Sequence, residues 1–214
     1  MSINAHYRKA PHHDQHIKKY IAEALGVFIL TLAVIVAVSS RFAIITPAVA
    51  AFTVAVLVYA IGHISGTHIN PAITVALYSL KKISGKNAIG YIIAQFIGAL
   101  VARWLADYLV GYVPGFTVLS NFKVGLGEAT GALILAFGVA LVVFDKVSEA
   151  TSGIVIGVFL FLGILVASVV SNGILNPAVA LGVGSFSLAY VAGPVIGAVI
   201  GMWLYHKLRV KGQG

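Results

Sequence analysis

Six long apolar stretches, separated by short polar segments, dominate the pattern of hydrophobic and polar positions along the chain. They run over about 20–38, 47–62, 88–110, 125–144, 153–169 and 188–206. Their lengths are close to the roughly 20 apolar residues that a helix needs to cross a bilayer. The pattern therefore predicts an all-α membrane protein with six transmembrane helices and short connections.

Two further segments are too short to cross a membrane and too apolar for solvated loops. One begins at Asn70-Pro71-Ala72 and runs to Tyr78, and the other begins at Asn176-Pro177-Ala178 and runs to Gly182. Asn is a favoured N-cap and Pro fits the first helical position, so each triplet predicts a helix start. We expect two re-entrant half-helices, which are tolerated at membrane depth where their loops line a cavity or pack against protein.

The two halves of the chain repeat one another. Glu23 and Glu128 are 105 residues apart, and Asn70 and Asn176 are 106 apart. Three spans in each repeat give the halves opposite orientations, and an inverted repeat with an interrupted segment in each half indicates a substrate path between them. The predicted organisation is a polar tail (1–19), a first repeat (20–110), a connecting loop (111–124), a second repeat (125–207) and a second tail (208–214).

The composition excludes a soluble protein and several kinds of chemistry. Charged residues make up 9% of the chain and hydrophobic residues 60%, against about 25% charged residues in soluble domains. The mean hydropathy is +1.02. The absence of cysteine excludes disulfides and thiolate chemistry.

The basic pI near 9.8 does not indicate a nucleic-acid partner, because the charges lie at the ends of the spans.

The distribution of Lys and Arg predicts the orientation in the membrane. With a cytoplasmic N-terminus, eleven of these residues lie in inside segments and two, Arg41 and Lys123, lie outside. Positive residues are enriched in cytoplasmic loops. Both termini are therefore expected in the cytoplasm, with the chain in the cell membrane. The inside residues are Arg8, Lys9, Lys18, Lys19, Lys81, Lys82, Lys86, Lys146, Lys207, Arg209 and Lys211.

Asn70 and Asn176 are the candidate residues for solute recognition. Half-helices entering from opposite faces would meet near the midplane, each with a partial positive charge at its N-terminus. The Asn oxygens would cap these helices, while the NH₂ groups donate into the lumen. Such a site orients a neutral solute through an acceptor oxygen and repels cations.

The glutamates within the spans are candidates for holding the pore loops. A carboxylate inside a span usually has an internal partner. Glu23 precedes Asn70 by 47 residues and Glu128 precedes Asn176 by 48, so each is expected to accept from loop amides. A proton relay would need a chain of titrating groups, which the sequence does not show. Arg103 and Asp107 are four residues apart and are expected to form a helical ion pair.

Two histidine groups suggest other chemistry. His63, Ser65 and His68 could be imagined as an intramembrane hydrolase, but no nucleophile elbow or orienting acid accompanies them. His12, His13 and His16 include an i, i+4 pair that could bind a metal, although a mobile cytoplasmic tail is the favoured interpretation. We therefore predict no enzyme activity, no cofactor and no metal.

The motifs together resemble those of the aquaporin (major intrinsic protein) family over about residues 18–208. The stretch Gly62–Ala72, with His63 and His68 before the first Asn-Pro-Ala, is similar to the first box of the family. The segments that match its other motifs are Ala22-Glu23, Gly127-Glu128, Ala94–Ala99 and Gly193–Gly197. The resemblance implies six tilted helices, two half-helices, a pore in each protomer of a homotetramer, and pore-loop support from the glutamates and from His63 and His68. It implies a passive channel for water and small neutral solutes that excludes ions and protons.

The chain departs from the family at the outer selectivity filter. Spacing from the boxes assigns the four filter positions to Ala50, Ile164, Gly173 and Val179. Water-selective members of the family have an aromatic residue and usually a His at the first two positions, and an Arg at the last. The last three positions resemble some plant vacuolar-type members that pass urea and peroxide. The glycerol-facilitator branch is not matched, because its Asp is replaced by Ala180. A wider, less polar constriction is expected unless residues such as Phe42, Tyr112 or Phe116 fill it.

Three alternatives remain open at this point. The chain could be a facilitator for glycerol, urea, ammonia or hydrogen peroxide with modest water flux. It could be a packing or adhesion protein with a pore closed by apolar residues. It could also be an alternating-access transporter, although the absence of coupling carboxylates disfavours this.

Overall fold

The computed structural model describes residues 12–39, 46–111, 120–145 and 147–209, and these ranges contain eight α-helices and no strand. Six of the helices are long and apolar enough to cross a membrane, which confirms the predicted spans. The helices are α1 (His12–Ser39), α2 (Thr46–Ser65), α3 (Pro71–Ser79), α4 (Gly85–Val110), α5 (Phe122–Phe144), α6 (Glu149–Ala167), α7 (Pro177–Gly182) and α8 (Leu188–Leu208).

The helices extend beyond the apolar stretches that predicted them. α1 begins at His12, within the segment predicted as a polar tail, and α6 begins at Glu149 rather than near 153. Hydrogen bonding continues a helix past the point where its side chains become polar, so hydropathy marks the membrane-embedded part and not the helix end.

The two half-helices begin where the Asn-Pro-Ala triplets predicted. The side-chain oxygen of Asn70 accepts from the amide of Ala72 at the start of α3, and that of Asn176 accepts from Ala178 and Val179 at the start of α7. Pro occupies the first position of both helices, where a missing N–H costs nothing. The predicted capping is therefore confirmed for both half-helices.

The spans alternate in direction and so define two faces of the molecule. We call the face where α1 begins and α8 ends the terminal face; it also contains Lys82 and Phe144. The other face, marked by Thr46 and Leu188, is the opposite face. α3 runs back to the terminal face and α7 to the opposite face, so that their N-termini meet in the middle and complete the inverted repeat.

Close approaches between helices follow the same repeat. A Cβ added to Gly98 of α4 would collide with the carbonyl oxygen of Ala24 in α1, and one added to Gly197 of α8 would collide with that of Ala129 in α5. Ala24 and Ala129 are themselves 105 residues apart. Small residues at such contacts allow backbones to approach within lipid, where apolar burial gives helices little reason to associate.

We expect Gly98→Ala and Gly197→Ala each to lower the free energy of unfolding by about 1–3 kcal/mol, the cost of overpacking a tight contact. Thermal unfolding in detergent would measure the change. Gly125→Ala is the matched control, because its added Cβ would lie 3.9 Å from Ala189 and Ala favours a helix more than Gly does. Equal stability of all three variants would show that Gly98 and Gly197 do not lie at close helix contacts.

Candidate permeation pathway

A cavity of about 580 Å³ lies between the helices, and its wall includes residues near both faces of the molecule. Val38 and Thr46 line it near the opposite face, and Lys82 and Val142 line it near the terminal face. Aliphatic side chains from α1, α2, α5 and α6 form about half of its wall. Its polar groups come mainly from the two loops that precede α3 and α7, so the pathway is an apolar tube with a polar stripe.

The two loops are hydrogen-bonded to each other at the middle of this cavity. The Nδ2 atom of Asn70 donates to the carbonyl oxygen of Leu175 at 3.0 Å, and that of Asn176 donates to the carbonyl oxygen of Ile69 at 2.9 Å. The sequence predicted that these NH₂ groups donate into the lumen. Each group has two N–H donors, and the structure assigns one of them to the other loop. The second N–H is available to the cavity, which both Asn residues line.

The residues that receive these bonds have unusual backbone conformations. Ile69 has a φ of 38° and Leu175 a φ of 58°, in the left-handed region that non-glycine residues rarely adopt, least of all β-branched Ile. Each is fixed on both sides, because its amide donates to a glutamate and its carbonyl accepts from the Asn of the other loop. Strained conformations of this kind persist only where surrounding contacts determine them.

Glu23 is fully buried and accepts hydrogen bonds from the first loop. Its Oε1 atom accepts from the hydroxyl of Ser65 at 2.6 Å and the amide of His68 at 2.9 Å. Its Oε2 atom accepts from the amide of Ile69 at 2.6 Å and the side-chain amide of Gln95 at 2.8 Å. The carboxylate thus ties α1 and α4 to the loop before α3.

Glu128 has the equivalent position in the second repeat. It is fully buried and accepts from the hydroxyl of Ser171 at 2.7 Å and from the amides of Ile174 at 3.0 Å and Leu175 at 2.6 Å. Ser65, Gln95 and Ser171 complete these networks and were not predicted from the sequence. A signal was present for the serines, since each lies five residues before its Asn.

The structure separates the two histidines that were expected to support the first loop. His63 is exposed in the last turn of α2, and in the described part of the chain it is not among the groups bonded to Glu23. His68 lines the cavity. Its ring packs edge-on against Tyr91 with a centroid distance of 5.0 Å, and its Nδ1 atom is 3.3 Å from the hydroxyl of Thr74.

The four positions assigned to the filter all line the same cavity. Ile164 and Val179 are buried and aliphatic, and Ala50 is buried with only a methyl side chain. Gly173 has a φ of 61°, and a Cβ there would lie 2.9 Å from the carbonyl oxygen of Ile164, so the position accepts no larger residue without a shift. These side chains contribute no hydrogen-bonding group. Phe42, Tyr112 and Phe116, considered as fillers, lie outside the described residues.

The remaining polar candidates lie away from the pathway. The Nε atom of Arg103 is 2.7 Å from the carboxylate of Asp107, which confirms the predicted ion pair, and neither residue is part of the cavity wall. The side chains of His12, His13 and His16 lie outside those that the structure describes. The pathway described above is therefore the candidate site of this chain.

Known proteins are similar to this chain in sequence and in fold. The family model described as "Major intrinsic protein" matches residues 10–205. The chain is 32% identical to aquaporin NIP1-1 of Zea mays over 212 residues, covering 90% of this chain and 75% of that protein. It is 34% identical to the probable aquaporin AqpM of Archaeoglobus fulgidus over 182 residues, covering 74% and 73%. Among solved structures, the aquaglyceroporin of Plasmodium falciparum has the same fold, with a TM-score of 0.74, 21% identity and coverage of 90% of this chain and 96% of that one.

Proposed function

This chain belongs to the major intrinsic protein family, and we propose that the cavity between its two half-helices is the path by which solutes cross the membrane. Members of this family are channels and not enzymes. The chain is accordingly an integral, multi-pass membrane protein and a channel for water and small neutral solutes.

The observation that supports this path is the pair of hydrogen bonds between the loops in the middle of a cavity lined from both faces. They fix both Asn side chains, so that the second N–H of each presents a donor at a constant position. Fixed donors opposite an apolar wall orient a water or solute oxygen at low reorganisation cost. Such placement favours neutral acceptors, because the aliphatic wall offers an ion no replacement for its hydration shell.

Cations meet a further barrier at the same place. The half-helices point their N-termini, with partial positive charge, at the centre of the path. We propose that this barrier excludes protons without the Arg that most aquaporins have in the outer filter, because the helix dipoles and the Asn NH₂ groups do not depend on the side chain at position 179.

We expect proteoliposomes containing the protein to show no more proton leak than vesicles of lipid alone, since the central barrier is intact. A pH-sensitive dye trapped inside the vesicles, followed after an external pH jump, would measure the leak. Vesicles treated with a protonophore provide the positive control. A leak well above that of bare lipid would show that the centre alone does not exclude protons.

Ala50, Ile164, Gly173 and Val179 are proposed as the outer filter. Small and aliphatic side chains at all four positions remove the donors that hold a single file of water, and they leave room for a larger solute with an apolar face. We therefore propose that small neutral solutes such as glycerol or urea permeate in addition to water. The name of the related aquaglyceroporin is consistent with glycerol, but the match to that protein shows only the fold.

Stopped-flow light scattering on proteoliposomes tests the function directly. An osmotic jump with an impermeant solute gives the water permeability, and jumps with glycerol and urea give the solute permeabilities. Rates above those of protein-free vesicles, with a weak temperature dependence, are expected for a channel. Rates equal to those of protein-free vesicles for every solute would instead support the closed-pore alternative.

We further propose that the terminal face is cytoplasmic, with the protein in the cell membrane as a homotetramer. The orientation is supported by the eleven Lys and Arg residues assigned to that side against two on the other. The repeats are proposed to span 20–110 and 125–207, between the tails and the connecting loop. Large exposed apolar side chains such as Phe52 and Trp104 give the spans an outer surface suited to lipid or to neighbouring protomers.

A further inference from the structure

Lys82 is the one Lys, Arg, Asp or Glu on the cavity wall among the residues that the structure describes. It lies at the terminal-face end of the cavity, where Val142 and Val143 also belong to the wall. The proposed filter near the opposite face contains no charged side chain. The fixed charge of the described pathway is thus concentrated at its terminal-face mouth.

The end of α3 fixes the backbone of Lys82. Lys81 adopts a left-handed conformation with a φ of 58°, and the amide of Lys82 then donates back to the carbonyl oxygen of Leu77 at 2.9 Å. This closure terminates the half-helix and sets the direction in which the following side chain leaves it.

Phe144, the last residue of α5, fixes the side chain. The ammonium of Lys82 lies 4.6 Å from the centroid of the Phe144 ring, within the range of a cation–π interaction. The guanidinium of Arg209 lies 4.8 Å from the same centroid and donates to the carbonyl oxygen of Phe144 at 2.8 Å. One ring therefore holds two cations beside the mouth.

The net charge at this ring is positive. Asp145 brings a carboxylate to the same end of α5, where it accepts a hydrogen bond from Tyr205. Among the described residues, the contacts at this ring and at the adjacent Asp145 bring together the two positive charges of Lys82 and Arg209 and the one carboxylate of Asp145. Of the two cations, only Lys82 is part of the cavity wall, so it acts most directly on a solute at the entrance.

We propose that Lys82 determines charge selectivity at the terminal-face mouth, where it repels cations and concentrates anions before they reach the central barrier. This inference rests on the proposed function, because it assumes that solutes use the cavity. The effect is local, since mobile ions screen charges beyond about 8 Å at physiological ionic strength. The mouth at the opposite face is therefore unaffected by Lys82.

The absence of cysteine permits a direct measurement of this potential. Val143→Cys places a single thiol on the wall beside Phe144, at a position that is 40% exposed. The variant is reacted with a negatively charged and a positively charged methanethiosulfonate of similar size. The rates are followed by the mass of the intact protein, so the measurement does not depend on permeation.

We expect Lys82→Gln, introduced into the Val143→Cys variant, to lower the ratio of the anionic to the cationic rate by about five- to tenfold, because loss of one nearby charge changes the two rates in opposite directions. Lys82→Arg should preserve the ratio. About 1 M salt should remove most of the difference. Lys86→Gln is the matched control, since it removes an exposed charge from the same segment but not from the cavity wall.

Ser168→Cys provides the control at the other mouth, because Ser168 lines the cavity just beyond the end of α6. Lys82→Gln should leave the rate ratio there unchanged. A ratio at the position 143 thiol that Lys82→Gln does not alter, or that Lys86→Gln alters equally, would overturn the proposal. Solute flux measured on the same samples separates the charge effect of Lys82 from the proposed channel function. If Lys82→Gln alters the rate ratio at this thiol but the protein passes no solute, the proposed function is contradicted. The electrostatic potential at the mouth is established in that case.

Discussion

Replacing Glu23 by Ala is expected to lower the free energy of unfolding by about 2–6 kcal/mol. Four donors in the described structure converge on this carboxylate. Those of Ser65 and Gln95 can rotate toward other partners, but the backbone amides of His68 and Ile69 cannot. Two stranded backbone donors at about 1–3 kcal/mol each give the stated range. Thermal or denaturant unfolding in detergent would measure it.

Two further variants make this measurement specific. Glu23→Gln should fall between the wild type and Glu23→Ala, because the Oε1 atom of Gln95 has no hydrogen-bond partner in the described structure and can accept from the new NH₂ group. Glu149→Ala removes an exposed carboxylate and should have little effect. Glu128→Ala should repeat the loss in the second repeat. Normal stability of both Ala variants would exclude the glutamates as supports of the loops.

Val179→Arg is expected to reduce the permeability to glycerol and urea by about tenfold or more while reducing that to water much less. Val179 is 3% exposed and lines the cavity at the start of α7. A long side chain there narrows the path and adds five donors, which a water molecule can satisfy more readily than a larger solute can. Burial of the charge costs about 2.5–3.5 kcal/mol on insertion scales, and the loop carbonyls nearby should reduce this cost.

Stopped-flow measurements with the three solutes would test the prediction on folded protein. Val179→Met is the control for length, since Met extends into the same space without charge or N–H donors. It should narrow the path for all solutes with less discrimination than Arg. Unchanged proportions among the solutes in Val179→Arg would show that position 179 does not lie at the narrowest point.

The sequence predicted the parts of this fold that local chemistry determines. Hydropathy located the six spans, and the Asn and Pro of each triplet located the starts of α3 and α7, because capping and the fixed φ of Pro act over a few residues. The acceptor role expected of Glu23 and Glu128 agrees with the hydrogen bonds of the structure, because a carboxylate within a span requires partners.

The parts that the sequence could not supply depend on the packing of distant segments. Gln95 reaches Glu23 only because α4 packs against α1. The position of His63 on the exposed side of α2 depends on the direction in which the chain leaves the helix, and Ser65 occupies the place beside the glutamate instead. Likewise, each Asn NH₂ group donates one hydrogen bond to a carbonyl oxygen of the other loop, and this pairing requires both halves of the molecule.

The hydrogen bonds between the two loops impose an order on biosynthesis. The acceptor of Asn70, the carbonyl oxygen of Leu175, is 105 residues away. At a translation rate of about 5–20 residues per second, it is made roughly 5–20 s later. During that interval Glu23 can already hold the first loop, but the NH₂ group of Asn70 lacks its acceptor in the second loop. Completion of the pore is therefore a late event, coupled to the arrival of the second half.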